Sequence, residues 1–262
     1  MTNTNDTRSS TVGWQADALR FTAFPLGNVE IDHGEWWRQL VGQQAEIVAA
    51  QRSTGIRQAE GPFRDGKLVL VVLPDRYEWR YHTPDISELP PKDVLTLGEF
   101  RGALETFVVL VNDWLELGIG PSVSRLAFGA HLLKAWDDQR EAFRDLGEYL
   151  PFDGEHLEGS VGFLYQINRR IKSDLGIADL EINRLAKWQA REIVRARVRM
   201  QGGPEVVIDE NVLRELQVPM HTANLEVDIN NVPMSLPDDR LHEIFEELVT
   251  LGAEIAEKGD VG

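Results

Sequence analysis

Between Asn224 and Asn230 the sequence alternates, placing Leu225, Val227 and Ile229 on one face of an extended chain and Asn224, Glu226, Asp228 and Asn230 on the other. Glu226 and Asp228 are then two carboxylates at i, i+2, roughly 7 Å apart along one face. That separation suits a divalent cation bridged through water, or an acid and base pair for hydrolysis. Any half-exposed strand shows the same alternation with no chemistry attached. Arg195, Arg197 and Arg199 alternate with Val194, Ala196 and Val198, so three cations project together from another strand. Opposite charges on neighbouring strands contribute roughly 0.2 to 1 kcal/mol per pair, and the sequence predicts that these two strands lie side by side, with the arginines against Glu226 and Asp228. On that reading the carboxylates are structural counter-ions, and the surplus arginine charge is where a partner's carboxylate or phosphate docks.

The remaining chemistry-bearing residues form no signature. The six histidines, His33, His82, His131, His156, His221 and His242, include no pair at the i, i+4 spacing that puts two imidazoles on one metal. His242-Glu243 opens like a metalloprotease helix, but Glu246 stands where the second histidine belongs. There is no glycine-rich phosphate cradle and no Gly-x-Ser-x-Gly elbow, and Gly202-Gly203-Pro204 reads as a turn. Cysteine is absent, which excludes thiolate nucleophiles, disulfides and Cys-ligated metal centres. No cofactor is expected. Tyr77, Trp79 and Tyr81 share one face of an alternating segment, either as a stacking platform or as the covered side of a hairpin; Arg76 and Arg80 lie opposite. Trp36 and Trp37 read as divided between the core and an interface.

Elements that position these groups are written more plainly. With 262 residues, 42% hydrophobic and 27% charged, the chain has ordinary globular composition and enough length for a sizeable core. Asp32 with Glu35, and Thr96 with Glu99, have the spacing of reciprocal helix caps. The first predicts a helix whose stripe runs from Trp36 through Leu40 and Val41 to Ile47 and Val48; the second predicts one carrying Phe100, Leu104, Phe107, Val111 and Trp114, stopped by Gly118, Gly120 and Pro121. A third helix is expected over about 134–150. A fourth opens at Pro237-Asp238 and carries Ile244, Phe245, Leu248 and Ile255, and a short turn is expected over 210–216. Leu68 to Leu73, Pro74-Asp75 and Arg76 to His82 make a hairpin. Further strands are expected at 19–24, 123–133, 163–169, 180–185, 193–199 and 225–229. The order predicts an α+β fold, mostly antiparallel sheet with helices on one face, after a disordered tail over 1–17; the halves 18–118 and 121–258, packed as one unit, share a strand, helix, hairpin, helix order that duplication of one βα-hairpin-α unit would give, but no matching sequence links them, so duplicated and unrelated halves both stay open.

Charge and hydropathy narrow the partners. The formal charge of -16 repels nucleic acid and anionic lipid on average. From Arg169 to Arg199, however, nine basic residues face four acidic ones, and there alone an anionic partner such as nucleic acid fits. No segment has the apolar length of a membrane span, and the polar start lacks the pattern of a secretory signal, so a cytoplasmic protein is expected. A protein partner is the expected ligand, and self-association is compatible with the composition.

Pro121-Ser122-Val123-Ser124-Arg125-Leu126-Ala127-Phe128, and Ala223-Asn224-Leu225-Glu226-Val227-Asp228-Ile229-Asn230 followed by an acidic C-terminal helix, resemble segments of a sporadically distributed family of uncharacterised bacterial proteins of similar length. The order of elements over most of the chain is similar too. The resemblance implies a bacterial cytoplasmic accessory protein, its patchy distribution suiting mobile or defence systems, and it supplies no catalytic residues. Two functions therefore stand open: a non-enzymatic accessory or regulatory subunit binding a protein through Arg195, Arg197 and Arg199, and a metal-dependent hydrolase using Glu226 and Asp228.

Overall fold

Strand β1 (Gln15–Pro25) runs through the middle of the sheet, and its alternation sets the two faces of the fold. Leu19, Phe21 and Ala23 are buried toward the helices, whereas Ala18, Arg20 and Thr22 point the other way. The computed structural model describes residues 13–27, 30–84, 94–136, 138–152, 157, 160, 162–195 and 218–260. The strand begins three residues inside the expected tail, because Ala16 is fully buried and its backbone N–H and C=O bond Gly98 and Leu97.

Helix α1 (His33–Val41) starts where the capping chemistry placed it. The Asp32 carboxylate accepts from the Glu35 backbone N–H at 3.0 Å, while the Glu35 carboxylate turns to Arg38 and Gln39 instead of closing the box. The predicted stripe does not continue through Ile47 and Val48. Gly42 takes the left-handed conformation, φ 78°, ends the helix, and lets the chain turn into strand β2 (Ile47–Gln51). Strands β3 (Ile56–Phe63), β4 (Gly66–Val72) and β5 (Tyr77–His82) follow as a meander, the last two forming the expected hairpin. Helix α2 (Phe100–Glu116) lacks the predicted cap: the Thr96 hydroxyl accepts from Gly98 N–H, and Glu99 makes no side-chain cap bond.

The second half repeats this course. Strand β6 (Val123–Trp136) extends into the region expected to be helical, so helix α3 is shorter (Gln139–Gly147) and is capped by Asp138, whose carboxylate accepts from the Arg140 and Glu141 N–H groups. Strand β7 (Phe163–Lys172) precedes β8 (Glu181–Arg195), which fuses the two short strands expected there. Strand β9 (Val218–Asn231) leads through a 3-10 turn at Asp238–Arg240 into helix α4 (Leu241–Lys258). The turn expected over 210–216 lies outside the described residues.

All nine strands form one antiparallel sheet in the order β2-β3-β4-β5-β1-β6-β9-β8-β7. The run β1-β5-β4-β3 is matched by β6-β9-β8-β7, with α1 answering α3 and α2 answering α4. The two similar halves are therefore present as connectivity, with β2 an addition to the first, and they join where β1 pairs with β6. At that seam Phe21 lies opposite Phe128, and both rings contact Phe245 of α4, at 5.3 and 6.5 Å between centroids.

The four helices among the described residues pack on one face. Trp36 of α1 stacks on Tyr77 at 5.0 Å and Trp37 on Trp79 at 6.1 Å, Trp114 of α2 meets Trp79 at 5.5 Å, and Phe143 of α3 meets Phe163 at 6.5 Å. Tyr77, Trp79 and Tyr81 are thus core residues, and neither Trp36 nor Trp37 is left for an interface, since both are buried. Such aromatic pairs add about 0.5 to 1.5 kcal/mol each beyond area burial. Among the described residues no helix is long and apolar enough to cross a membrane.

Candidate functional site

The face away from the helices carries polar and charged side chains in rungs that the strand register defines. One rung reads Arg80, Arg20, Gly129, Asp228 and Leu185 across β5, β1, β6, β9 and β8. The neighbouring rung reads His82, Ala18, His131, Glu226 and Lys187 across the same strands. Small residues at Ala18 and Gly129 leave a hollow of about 420 Å³ at the centre, spanning the seam between the halves.

Gly129 has a specific job in this geometry. A Cβ there would lie 3.1 to 3.3 Å from the Arg20 guanidinium, so the bare backbone lets that side chain lie close across β6 without having to shift. Arg20 then reaches Asp228 two strands away at 2.6 Å, and its Nε is shielded from water without a partner. The other Asp228 oxygen accepts from Asn230 at 2.8 Å, and Asn183 donates to Asn230 at 3.2 Å. Glu226 binds Lys187 at 3.1 Å.

Arg80 stands directly opposite Arg20, a like-charge pairing that a third carboxylate relieves. Glu78, 2% exposed, receives Arg76 Nε at 2.7 Å on one oxygen and Arg80 on the other. Burial alone would push the Glu78 carboxyl up; the hydrogen bonds from Arg76 and Arg80, with the nearby charge of Arg80 and Arg20, outweigh it and hold the group below its ordinary value.

Two imidazoles complete the hollow. A β-bulge at Asp17 places an extra residue opposite β6 and turns its carboxylate onto His131 Nδ1 at 2.8 Å. His82 Nδ1 lies 2.7 Å from the Thr83 carbonyl oxygen and must be the donor there. Each ring is thus fixed through Nδ1, and its Nε2 has no partner among the described residues. That arrangement orients a neutral imidazole to accept a proton or hydrogen bond, or a charged one to donate.

The predicted pairing of strands is correct and the predicted partners are not. Strands β8 and β9 are neighbours, but their register sets Lys187 opposite Glu226 and Leu185 opposite Asp228. Arg195 falls opposite Val218 at the far end, and Arg197 and Arg199 lie outside the described residues. The cations that hold the two carboxylates are therefore Lys187 and Arg20. Sequence reasoning missed Arg20, His82 and His131 as one group. The parity of each was visible, since His82 alternates with Tyr81 and His131 with Leu132, but their convergence depends on β5, β1 and β6 being adjacent. Among the described residues no group of three or more His, Asp or Glu side chains is placed to hold a metal ion. No protein-family model, curated protein or solved structure matches the chain, so its geometry alone supports a functional reading.

Proposed function

We propose that the chain is a non-enzymatic interaction protein that docks a protein partner on the open face of its sheet, with the hollow at the seam taking the partner's charged side chain. One observation carries this reading: among the described residues every helix covers one face, and the centre of the other presents Arg20, Arg80, His82 and His131 around a concave floor of Ala18 and Gly129. Guanidinium groups fix a carboxylate or phosphate through paired N–H bonds, and both imidazoles are held with one nitrogen available. Carboxylates at Asp228 and Glu226 stand beside them, so the hollow complements a segment bearing both signs of charge rather than a bare anion. The resemblance to bacterial proteins of similar length extends the reading to a cytoplasmic accessory or regulatory subunit of a mobile or defence system.

The test is a comparative recovery from the native host at native expression. Wild type and Arg101→Glu, a change at an exposed position of helix α2 on the other side of the sheet, should retain the same stoichiometric partner, while Arg80→Glu should lose it. Absence of any stoichiometric partner for wild type, or its full retention by Arg80→Glu, refutes the reading.

A second reading, hydrolysis with a divalent metal on Glu226 and Asp228, draws support from His131 standing cross-strand to Glu226 in the same hollow. A metal would have to displace Lys187 from Glu226 and Arg20 from Asp228, which favours the first reading.

A further inference from the structure

The two edges of the sheet are built differently. Edge strand β7 carries Arg169, Arg170 and Lys172, the kind of charge that keeps an edge from pairing with another chain. Edge strand β2 has the sequence Ile-Val-Ala-Ala-Gln, with no charge, proline or bulge, and all five residues are exposed. Ile47 is 52% and Val48 57% exposed, on opposite faces of the strand. Among the described residues β2 pairs with β3 alone, so its outer row of N–H and C=O groups faces no strand. An edge of this composition is a template for strand addition.

Its flanks specify what it adds to. Glu46 and Arg52, one residue beyond either end of β2, are both exposed and have no side-chain partner among the described residues. They are equidistant from Ala49. If β2 meets a second β2 antiparallel about Ala49, Glu46 of each copy lies opposite Arg52 of the other, forming two ion pairs of opposite sign by symmetry. Ile47 then faces Gln51, Val48 faces Ala50, and the two Ala49 residues meet on the axis, where small side chains leave room for Ile47 and Val48. Any other register of a second copy breaks this complementarity.

We propose that β2 is a homodimerisation edge, pairing antiparallel with β2 of a second copy in the register centred on Ala49. The two-fold axis stands perpendicular to the sheet, as for any antiparallel strand pair, so the nine strands of each copy continue into one sheet of eighteen. Both open faces lie on the same side of it. The chain is then bivalent toward whatever that face binds, and two weak contacts act at high effective concentration.

Sedimentation of the full chain over a concentration series is the first test. Wild type should pass from monomer to dimer. Glu46→Arg alone and Arg52→Glu alone each place like charges at both ends and should weaken the dimer roughly tenfold or more, from two cross-strand pairs inverted. An equimolar mixture of the two single variants restores opposite charges at both ends and should form a heterodimer, and the double variant should recover wild-type association. Recovery on mixing shows that neither variant merely misfolds. Because the chain has no cysteine, Ala49→Cys adds a single thiol on the axis, within the 4.4 to 6.8 Å Cα separation that a disulfide needs. It should cross-link two copies far faster than Arg101→Cys. A wild type that stays monomeric to its solubility limit, single variants that dimerise undiminished, a mixture that fails to associate, or equal cross-linking rates would each overturn the assignment, leaving the edge to another protein's strand.

Discussion

Replacing Lys134 tests how β6, the strand that carries His131, is fixed to the helices. Lys134 is 1% exposed and Asp145 5%, and the amine donates to the Asp145 carboxylate at 2.8 Å and to the Tyr149 hydroxyl at 2.9 Å, with the Trp14 ring 4.8 Å away. Burial alone would push the amine down, but the Asp145 and Tyr149 hydrogen bonds outweigh it and hold the group above its ordinary value. Lys134→Met leaves a buried carboxylate with neither oxygen bonded, since Asp145 Oδ2 has no partner already. Removing one member of such a pair costs about 3 to 5 kcal/mol. At roughly 2 to 4 °C per kcal/mol for a chain approaching this size, the melting temperature should fall by about 10 °C. The double change Lys134→Met with Asp145→Leu replaces the pair by apolar groups of similar size and should recover most of the loss. The single variant also has a pH signature. Burial, no longer opposed by Lys134, raises the Asp145 carboxyl, so the folded state takes up a proton more readily than the unfolded one and the deficit shrinks as pH falls. Denaturant titrations of wild type, Lys134→Met, Asp145→Leu and the double variant at neutral and mildly acidic pH measure all of this. A cost for Lys134→Met below about 1 kcal/mol, or a double variant as unstable as the sum of the singles, would refute the reasoning.

Other expectations concern the open face. The Glu78 carboxyl is depressed in the folded state, so its contribution is present above the ordinary value of 4.5 and is lost as pH falls through the lower folded value; stability against pH should drop less steeply in that acid range for Glu78→Gln than for wild type. Gly129→Val puts two methyl groups where the Arg20 guanidinium lies, and should abolish partner recovery while lowering stability by only about 1 to 3 kcal/mol, the usual range for overpacking; unchanged recovery would show that the hollow is not the docking point. Millimolar Mg²⁺, Mn²⁺ or Zn²⁺ should leave the melting temperature unchanged, because Lys187 and Arg20 already hold Glu226 and Asp228. A rise of several degrees with one of them, lost in Glu226→Gln, would instead favour the hydrolase.

Much of the fold was legible because alternation and capping are local. Asp32 announced α1, the run from Ile244 to Ile255 announced α4, and the parity of Tyr77, Trp79 and Tyr81 against Arg80 and His82 separated the two faces correctly. Errors arose where a local pattern had two readings. Ile47 and Val48 continue the helical spacing of Leu40 and Val41, and only the left-handed turn at Gly42 makes them a strand. Strand β3 was not foreseen; it carries Gly61-Pro62 near its end, residues that seldom sit inside a strand, and Gly61 is where the sheet accepts the Trp37 ring, 3.3 Å from where a Cβ would be. Strand β8 looked like two short pieces because its middle is polar on one side, Lys187, Gln189 and Arg191, and buries mainly small residues on the other.

The candidate site was illegible for a different reason. Its members come from β1, β5, β6 and β9, and each is ordinary in its own segment: an arginine after a leucine, a histidine at the end of a hairpin, a glycine in a strand. Their meeting depends on strand order, which is set by which buried faces fit together across the whole sheet, and on registers that a shift of one residue would reverse. Strands β8 and β9 are neighbours as expected, but not through the charges that suggested it, since Arg195 lies opposite Val218 while Lys187 and Leu185 lie opposite Glu226 and Asp228. Charge complementarity misassigned the partners of Glu226 and Asp228, because Lys187 is the residue opposite Glu226 and Arg20 reaches Asp228 from β1 across Gly129, whose lack of a side chain leaves that path clear. Sign and period are properties of each strand alone; which cation meets which carboxylate is set by register and strand order, which put Lys187 opposite Glu226 and bring Arg20 within reach of Asp228.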